Sequence, residues 1–384
     1  MAAQGFAFED CLLKHYVRVK GWLPHCKARK KANDDRKPSE QRRLRYFTFC
    51  AIGAIDVLML NVAKIISLSQ EDKFDTVVFF DREPDAVLET QKRIPGAIGF
   101  PGSFTDVVLA NDPAANITED YDYLAPPLEL QDEYGTRREQ IVRAQRRDFI
   151  KKFPFDIVNL DLEEFAFKPY DPFPGKVIRA MRKLFEWQRA PLYAWPGRPT
   201  KSVYLDGFTL MFTTQIGPPD ISEEYTDMLR DYLEQNIACH PDLGDVLLHR
   251  TGAAEVATLQ SDHFEDFFKL GVPKVLAGLL LEADWYVDDE KGISTYTFKR
   301  NWIGGEYTML HFVMDVKRQT PPRERRAPNS GHVNEANEAY ASVVSRLFNQ
   351  GDIEVTNELA SSTELKPSLA DIRARRRMYY PDDV

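Results

Sequence analysis

Residues Tyr46 to Leu60, YFTFCAIGAIDVLML, constrain this chain more than any other stretch. The run opens as an apolar, β-prone segment, breaks at Gly53 and continues as a helix through Asn61-Val62-Ala63-Lys64-Ile65-Ile66. A strand, a turn of small residues and a helix open a nucleotide-type βαβ unit, in which the helix N-terminus and a close backbone turn form the ligand floor. A second apolar strand, Thr76-Val77-Val78-Phe79-Phe80, ends in Asp81, roughly 25 to 30 residues after the turn, where an acid for a ribose is expected. The alternative is a strand that ends in an acidic residue for no ligand-related reason.

The 384 residues suffice for one large domain or two ordinary ones. A formal net charge of −9 argues against a surface that clings everywhere to nucleic acid, while leaving room for local basic patches. Cys11, Cys26, Cys50 and Cys239 have no paired spacing, so neither a disulfide framework nor a zinc ribbon is indicated, and a reducing cytoplasm is the expected compartment. No basic start with an apolar signal core opens the chain, and no apolar run reaches the roughly 18 to 20 residues that span a bilayer. The expectation is a soluble protein with no membrane contact.

Along the chain, Met1 to Lys20 suggests a short amphipathic lead-in helix, and Lys27 to Arg45 reads as a basic segment, either a solvated linker or a phosphate-contacting arm. Glu83 to Arg93 is predicted helical, and Ala97 to Phe100 a short strand followed by a turn and a helix start. Ala110 to Tyr134 reads as a long loop, and Thr136 to Phe149 as a helix with Ile141, Ala144 and Phe149 inward. Phe155 to Leu162 is apolar on both faces, the habit of a central parallel strand. A helix over Lys176 to Gln188, a strand over Val203 to Gln215 and a helix over Ile221 to Ile237 follow. Two helical pieces divided by Gly271-Val272-Pro273 come next, and then an antiparallel hairpin over Ser294 to Arg300 and Glu306 to Lys317.

Parallel strands that alternate with helices and end in an antiparallel hairpin resemble the class I S-adenosylmethionine-dependent methyltransferases, over roughly Arg45 to Lys317. The resemblance implies an α/β fold with a Rossmann-like, mostly parallel sheet. It divides the chain into a basic N-terminal extension (1–44), a methyltransferase-like domain (45–317) with insertions at about 110–135 and 240–290, and a linker, C-terminal helix and basic tail (318–384). It places Ala51, Gly53, Asp56, Asp81, Ser103 and Phe104 at an S-adenosylmethionine site, and Asn159 and Asp161 at the reaction centre beyond the fourth strand. Aligned on Gly53, the family's acidic-x-Gly-x-Gly-x-Gly loop falls on Phe49, Ala51, Gly53 and Ile55, so one glycine of three remains and the acid is missing. Asp56 either replaces that acid or serves as a favourable first-turn charge.

At the reaction centre, Asn159-Leu160-Asp161-Leu162-Glu163-Glu164-Phe165 lacks the paired prolines of enzymes that methylate exocyclic amines of flipped bases, and lacks a nucleophilic cysteine. The carboxylates there either orient a substrate amine or metal, or Asp161 caps the strand while Glu163 and Glu164 begin a solvated turn. None of the seven histidines forms a zinc-type pair, and His311, alternating with apolar residues, reads as a core residue. Two functions stay open. One is methyl transfer from S-adenosylmethionine to a nucleic acid or protein. The other is a degenerate methyltransferase fold that serves as a scaffold or recognition subunit, for instance of a bacterial antiviral defence assembly. The expected partners are a nucleic acid through Lys27 to Arg45 and Arg373 to Arg377, and a protein or second copy through a C-terminal helix over Asn334 to Phe348.

Overall fold

A helical run carries the chain in: α1 (Leu12–Tyr16), a π-helical stretch (Val17–Trp22) and α2 (Leu23–Asp34). The helix therefore extends through nearly half of the basic segment that the sequence reads as either a solvated linker or a phosphate-contacting arm. Trp22, Cys26 and Asn33 lie on its buried side, Pro24 sits in the first turn of α2, where its missing N–H is not needed, and Lys27 and Lys31 point to solvent. The computed structural model describes residues 12–38, 40–49, 53–68, 76–110, 137–162, 175–192, 203–216, 223–239, 241–288, 293–302, 305–319, 353–361 and 365–381. Ala51, the long loop within Ala110 to Tyr134, Glu163 and Glu164, and the expected helix over Asn334 to Phe348 fall outside them. The chain divides into two units, one taking Met1–Asp161, Glu186–Leu205 and Val355–Val384, the other Leu162–Phe185 and Asp206–Glu354.

The first unit is a parallel α/β layer. Its strands are β1 (Tyr46–Phe49), β2 (Val77–Asp81), β3 (Ala97–Pro101) and β4 (Ile157–Asp161), separated by α3 (Ile55–Val62), α4 (Pro84–Arg93), α5 (Phe104–Leu109) and α6 (Arg137–Ile150). Tyr46 pairs with Val77 on one side and Ile157 on the other, and Val77 with Ala97, giving the order β4-β1-β2-β3. All strands run the same way because each connection is a helical crossover, and their near-continuous burial is what a sheet covered on both faces requires. The core is aromatic: Phe47, Phe80, Phe104, Phe149 and Phe155 pack with ring centroids 5.0 to 6.5 Å apart, mostly edge-on or tilted. On α6 the buried stripe is Val142 and Phe149; Ile141 and Ala144, expected inward, are only half-buried.

The chain's entry into β1 is bolted to the entry into β4. The Arg42 guanidinium donates two hydrogen bonds to the carboxylate of Asp156, which is fully buried and also accepts the Arg45 backbone N–H at 2.9 Å. At the other end of β1 the turn into α3 adopts the left-handed conformation at Ala54, with φ +45°, and not at Gly53. A Cβ is disfavoured there by about 1 kcal/mol. Ala54→Gly is accordingly expected to raise stability by up to about 1 kcal/mol in urea titration, whereas the same change in the middle of α3 would lower it.

Helix α7 (Lys176–Trp187) buries Val177, Ile178, Met181, Leu184 and Phe185 along one stripe, and β5 (Pro191–Leu192) pairs with β6 (Val203–Tyr204) in the first unit. In the second unit, β7 (Gly207–Ile216) is followed by α8 (Glu223–Cys239), α9 (Pro241–Thr251), α10 (Val256–Asp262), α11 (Phe264–Glu282), β8 (Trp285–Val287), β9 (Ile293–Trp302), β10 (Gly305–Arg318) and β11 (Ile353–Glu354). The expected hairpin is present, with Gly305 opposite Trp302 and Met314 opposite Ile293. Strand β10 lies between β9 and β7 and runs antiparallel to both.

Helix α11 runs unbroken through Gly271-Val272-Pro273, where the sequence suggests two pieces. The segment is buried, and a Cβ at Gly271 would lie 2.5 Å from Leu229 of α8. The glycine permits close helix packing, and the burial sustains a helix that the proline alone would weaken. Helices α12 (Asn357–Ala360) and α13 (Leu365–Tyr379) complete the first unit, α13 packing on α3 and α12 on α1. Among the described residues no helix is long and apolar enough to cross a membrane. The α/β class, with a Rossmann-like mixed sheet that is mostly parallel and has an antiparallel part, is thus as expected.

Candidate functional site

In an open parallel sheet, ligands bind outside the carboxyl ends of the strands where the strand order reverses. In the first unit that point lies between β1 and β4. Tyr46 and Thr48 project from one face of β1, Asn159 and Asp161 from one face of β4, and Asp56 stands in the first turn of α3. These groups close on one another. Asn159 Nδ2 donates to the Tyr46 hydroxyl at 3.0 Å and to the Thr48 hydroxyl at 3.2 Å. Both hydroxyls in turn donate to Asp56 Oδ2, at 2.6 and 2.7 Å. All four residues are buried, Asp56 the least so at 7% exposure. Burial, and then the negative charge of Asp56, push the Tyr46 pKa well above its usual value, so the phenol stays protonated and remains a donor. Asn159 Oδ1 is buried and finds no hydrogen-bond partner among the described residues.

Two positions from Asn159, Asp161 forms an ion pair with Lys14 of α1 at 2.5 Å, and both side chains are about nine-tenths buried. Asp161 is therefore held by a cation of the chain itself. Asp81 ends β2 as expected and is half-exposed; its Oδ1 accepts the Glu83 backbone N–H at 2.9 Å and so shapes the turn into α4. Ser103 is the N-cap of α5, accepting the Asp106 N–H at 3.4 Å and sharing a hydrogen bond with Thr105. Phe104 is 6% exposed and belongs to the aromatic core, its ring 5.2 to 5.8 Å from those of Phe49, Phe80 and Phe47. Gly53 stands in the β1–α3 turn, where, among the described residues, a Cβ would meet only the Ile55 side chain.

The structure thus joins Asp56 to Asn159 and places Asp161 beside them, while Ser103 and Phe104 do capping and packing work. Sequence reasoning missed Lys14, Tyr46 and Thr48. The last two were legible as polar side chains two apart on an apolar strand, which puts them on one face. Lys14 offered no such sign. His311 is a fully buried residue of β10, hydrogen-bonded to Thr213 Oγ1 at 2.7 Å and stacked on Phe298. No group of three or more potential metal ligands exists among the described residues.

The two basic segments meet elsewhere in the first unit. Lys30, Arg42 and Arg43 from the first, Arg375 and Tyr379 from α13, and Lys64 just past α3 line an open cleft of about 670 Å³. No protein-family model matches the chain, and no curated protein matches it at a significant level.

Proposed function

We propose that this chain is a methyltransferase-like Rossmann-type protein that works by recognition, as a non-catalytic subunit, and not by methyl transfer. The observation that carries the reading is the closed network of Tyr46, Thr48, Asp56 and Asn159. Apart from Asn159 Oδ1, the polar side chains of this network are already bonded to each other, so a ligand there would have to displace hydrogen bonds made in a buried setting, at a cost of roughly 1 to 3 kcal/mol for each group left unpaired. The ion pair between Lys14 and Asp161 points the same way. Calorimetric titration with S-adenosylmethionine and S-adenosylhomocysteine is the test, and the expected result is a dissociation constant weaker than about 100 µM. A submicromolar constant, near −8 kcal/mol or better, overturns the reading.

Methyl transfer is the second reading, favoured by Asp81, whose half-exposed carboxylate ends β2 where the family resemblance puts a ribose acid. On that reading Asp81→Ala would weaken cofactor binding by roughly 1.5 to 3 kcal/mol through lost charge-assisted hydrogen bonds.

A further inference from the structure

The protein carries a net charge of −9, yet five cationic side chains, Lys30, Arg42, Arg43, Lys64 and Arg375, converge on one cleft, with Asp34 the one carboxylate among its described lining residues. Lys30 is paired with Asp34 at 2.5 Å and Arg42 with Asp156, while the exposed Lys64 and the half-buried Arg375 present further positive charge to the cleft. Its other walls suit more than a bare ion. Leu44, Ile65 and Ile66 give apolar surface, Gln41, Asn33 and Asn61 give amide groups, and Tyr379 gives a half-exposed ring. The volume of about 670 Å³ lies within the range of small-molecule sites, about 300 to 1,000 Å³.

Positive charge also continues past one rim. Lys27 and Lys31 are exposed on α2, next to Lys30 and Asp34 on the helix surface, whereas the exposed Arg373 and Arg377 lie on a different side of α13 from Arg375 and Tyr379. A single phosphorylated metabolite would use the cleft and leave that flank idle; a strand that threads the cleft and runs on over α2 would use it. Duplex nucleic acid holds its phosphates on a convex surface and its bases stacked inside, so it would meet the rim without filling the cleft. A single strand offers both the phosphates for the cations and an unstacked base for Tyr379, the combination by which such strands are held.

We infer that this cleft binds single-stranded nucleic acid, its cations taking the phosphodiester backbone and Tyr379 a base. Leu44 precedes β1, and Lys64 to Leu68 follow α3, which runs back against β1, so the cleft opens at the amino end of β1, and none of Tyr46, Thr48, Asp56 and Asn159 lines it. Its occupancy does not depend on whether any cofactor binds at the other end.

Fluorescence anisotropy of a labelled 12-residue thymidine oligomer, titrated with the full chain across a range of salt, tests this. The comparison variants are Lys64→Gln with Arg375→Gln, which remove the charges and keep polar side chains at positions that reach solvent, and Tyr379→Leu; melting temperatures check that each is folded. For the double variant the log–log salt slope should shrink by about 1.4, at roughly 0.7 per phosphate contact on a single strand, and affinity near 0.1 M salt should fall roughly 25-fold. For Tyr379→Leu affinity should fall about tenfold with the slope unchanged, because stacking of a base carries no counterion release. An unchanged slope in the double variant overturns the inference, as does absence of binding at low salt. Equal competition by duplex of the same length, by pyrophosphate or by anionic lipid vesicles would overturn it too, since each lacks one feature that the cleft is inferred to read.

Discussion

Asp161→Ala is expected to lower the unfolding free energy by about 3 kcal/mol, measured as a shift of the urea midpoint at neutral pH. The reason is the partner left behind. Lys14 and Asp161 are each about nine-tenths buried and 2.5 Å apart, and breaking a buried pair leaves a charge with neither water nor counterion, typically at a cost of 3 to 5 kcal/mol. The estimate stands at the lower end because a tenth of each side chain still meets solvent. Replacing both residues by apolar ones of similar size, Lys14→Met with Asp161→Leu, should recover most of the loss, because a buried ion pair contributes little over good packing. A carboxylate kept for chemistry would behave otherwise. If Asp161→Ala leaves the midpoint within about 0.5 kcal/mol of the parent, the carboxylate is not a structural member, and the proposal of a non-catalytic strand end loses its second support.

The fold was legible where side chains of one kind repeat at one spacing. YFTF, VVFFD and IVNLD read as buried parallel strands because they are apolar on both faces, and the β9–β10 hairpin read itself from two β-rich runs around a glycine-containing turn. Composition misled where it outweighed periodicity. The cations of α2 hid a helix whose buried positions, Cys26 and Asn33, are too few to stand out, and Pro273 suggested a break that packing against Leu229 overrides. At the site, Asp56 could be read in two ways, and the structure adds a feature that neither reading held, its hydrogen bonds from Tyr46 and Thr48. Tyr46 and Thr48 lie close by in sequence, but Asn159 and Lys14 reach the same place only through tertiary structure. No local pattern announces a contact between the fourth strand and the first helix. The meeting of the two basic segments was likewise conditional on the fold, and Lys64, which joins them, belongs to neither.

Stability should also depend on pH through His15, which ties the beginning of the first unit to its end. The imidazole is 2% exposed, Nε2 makes a 3.1 Å hydrogen bond with the Ser368 hydroxyl of α13, and Nδ1 has no partner among the described residues. Burial first, and the positive charge of Arg18 second, lower its pKa from 6.5 to about 4. The folded state thus resists a proton that the unfolded chain accepts. Between pH 6.5 and 4 the unfolded state binds more protons, so stability rises with pH across that window and is lost as pH falls through it. At 1.36 kcal/mol per unit the full effect is on the order of 3 kcal/mol, and it is complete once pH passes below the folded value. Carboxylates titrate in the lower part of the window, so the informative quantity is a difference. Urea unfolding of the parent and of His15→Gln, which keeps a hydrogen-bonding side chain but does not titrate, should diverge by about 2 kcal/mol between pH 7 and pH 4.5, the parent losing more. Amide exchange should show the extra opening in α1 and α13, the two helices that the imidazole joins. Parallel pH profiles for the two proteins would mean that His15 is solvated enough to accept its proton in the folded state, and that the contact with Ser368 does not hold these helices together.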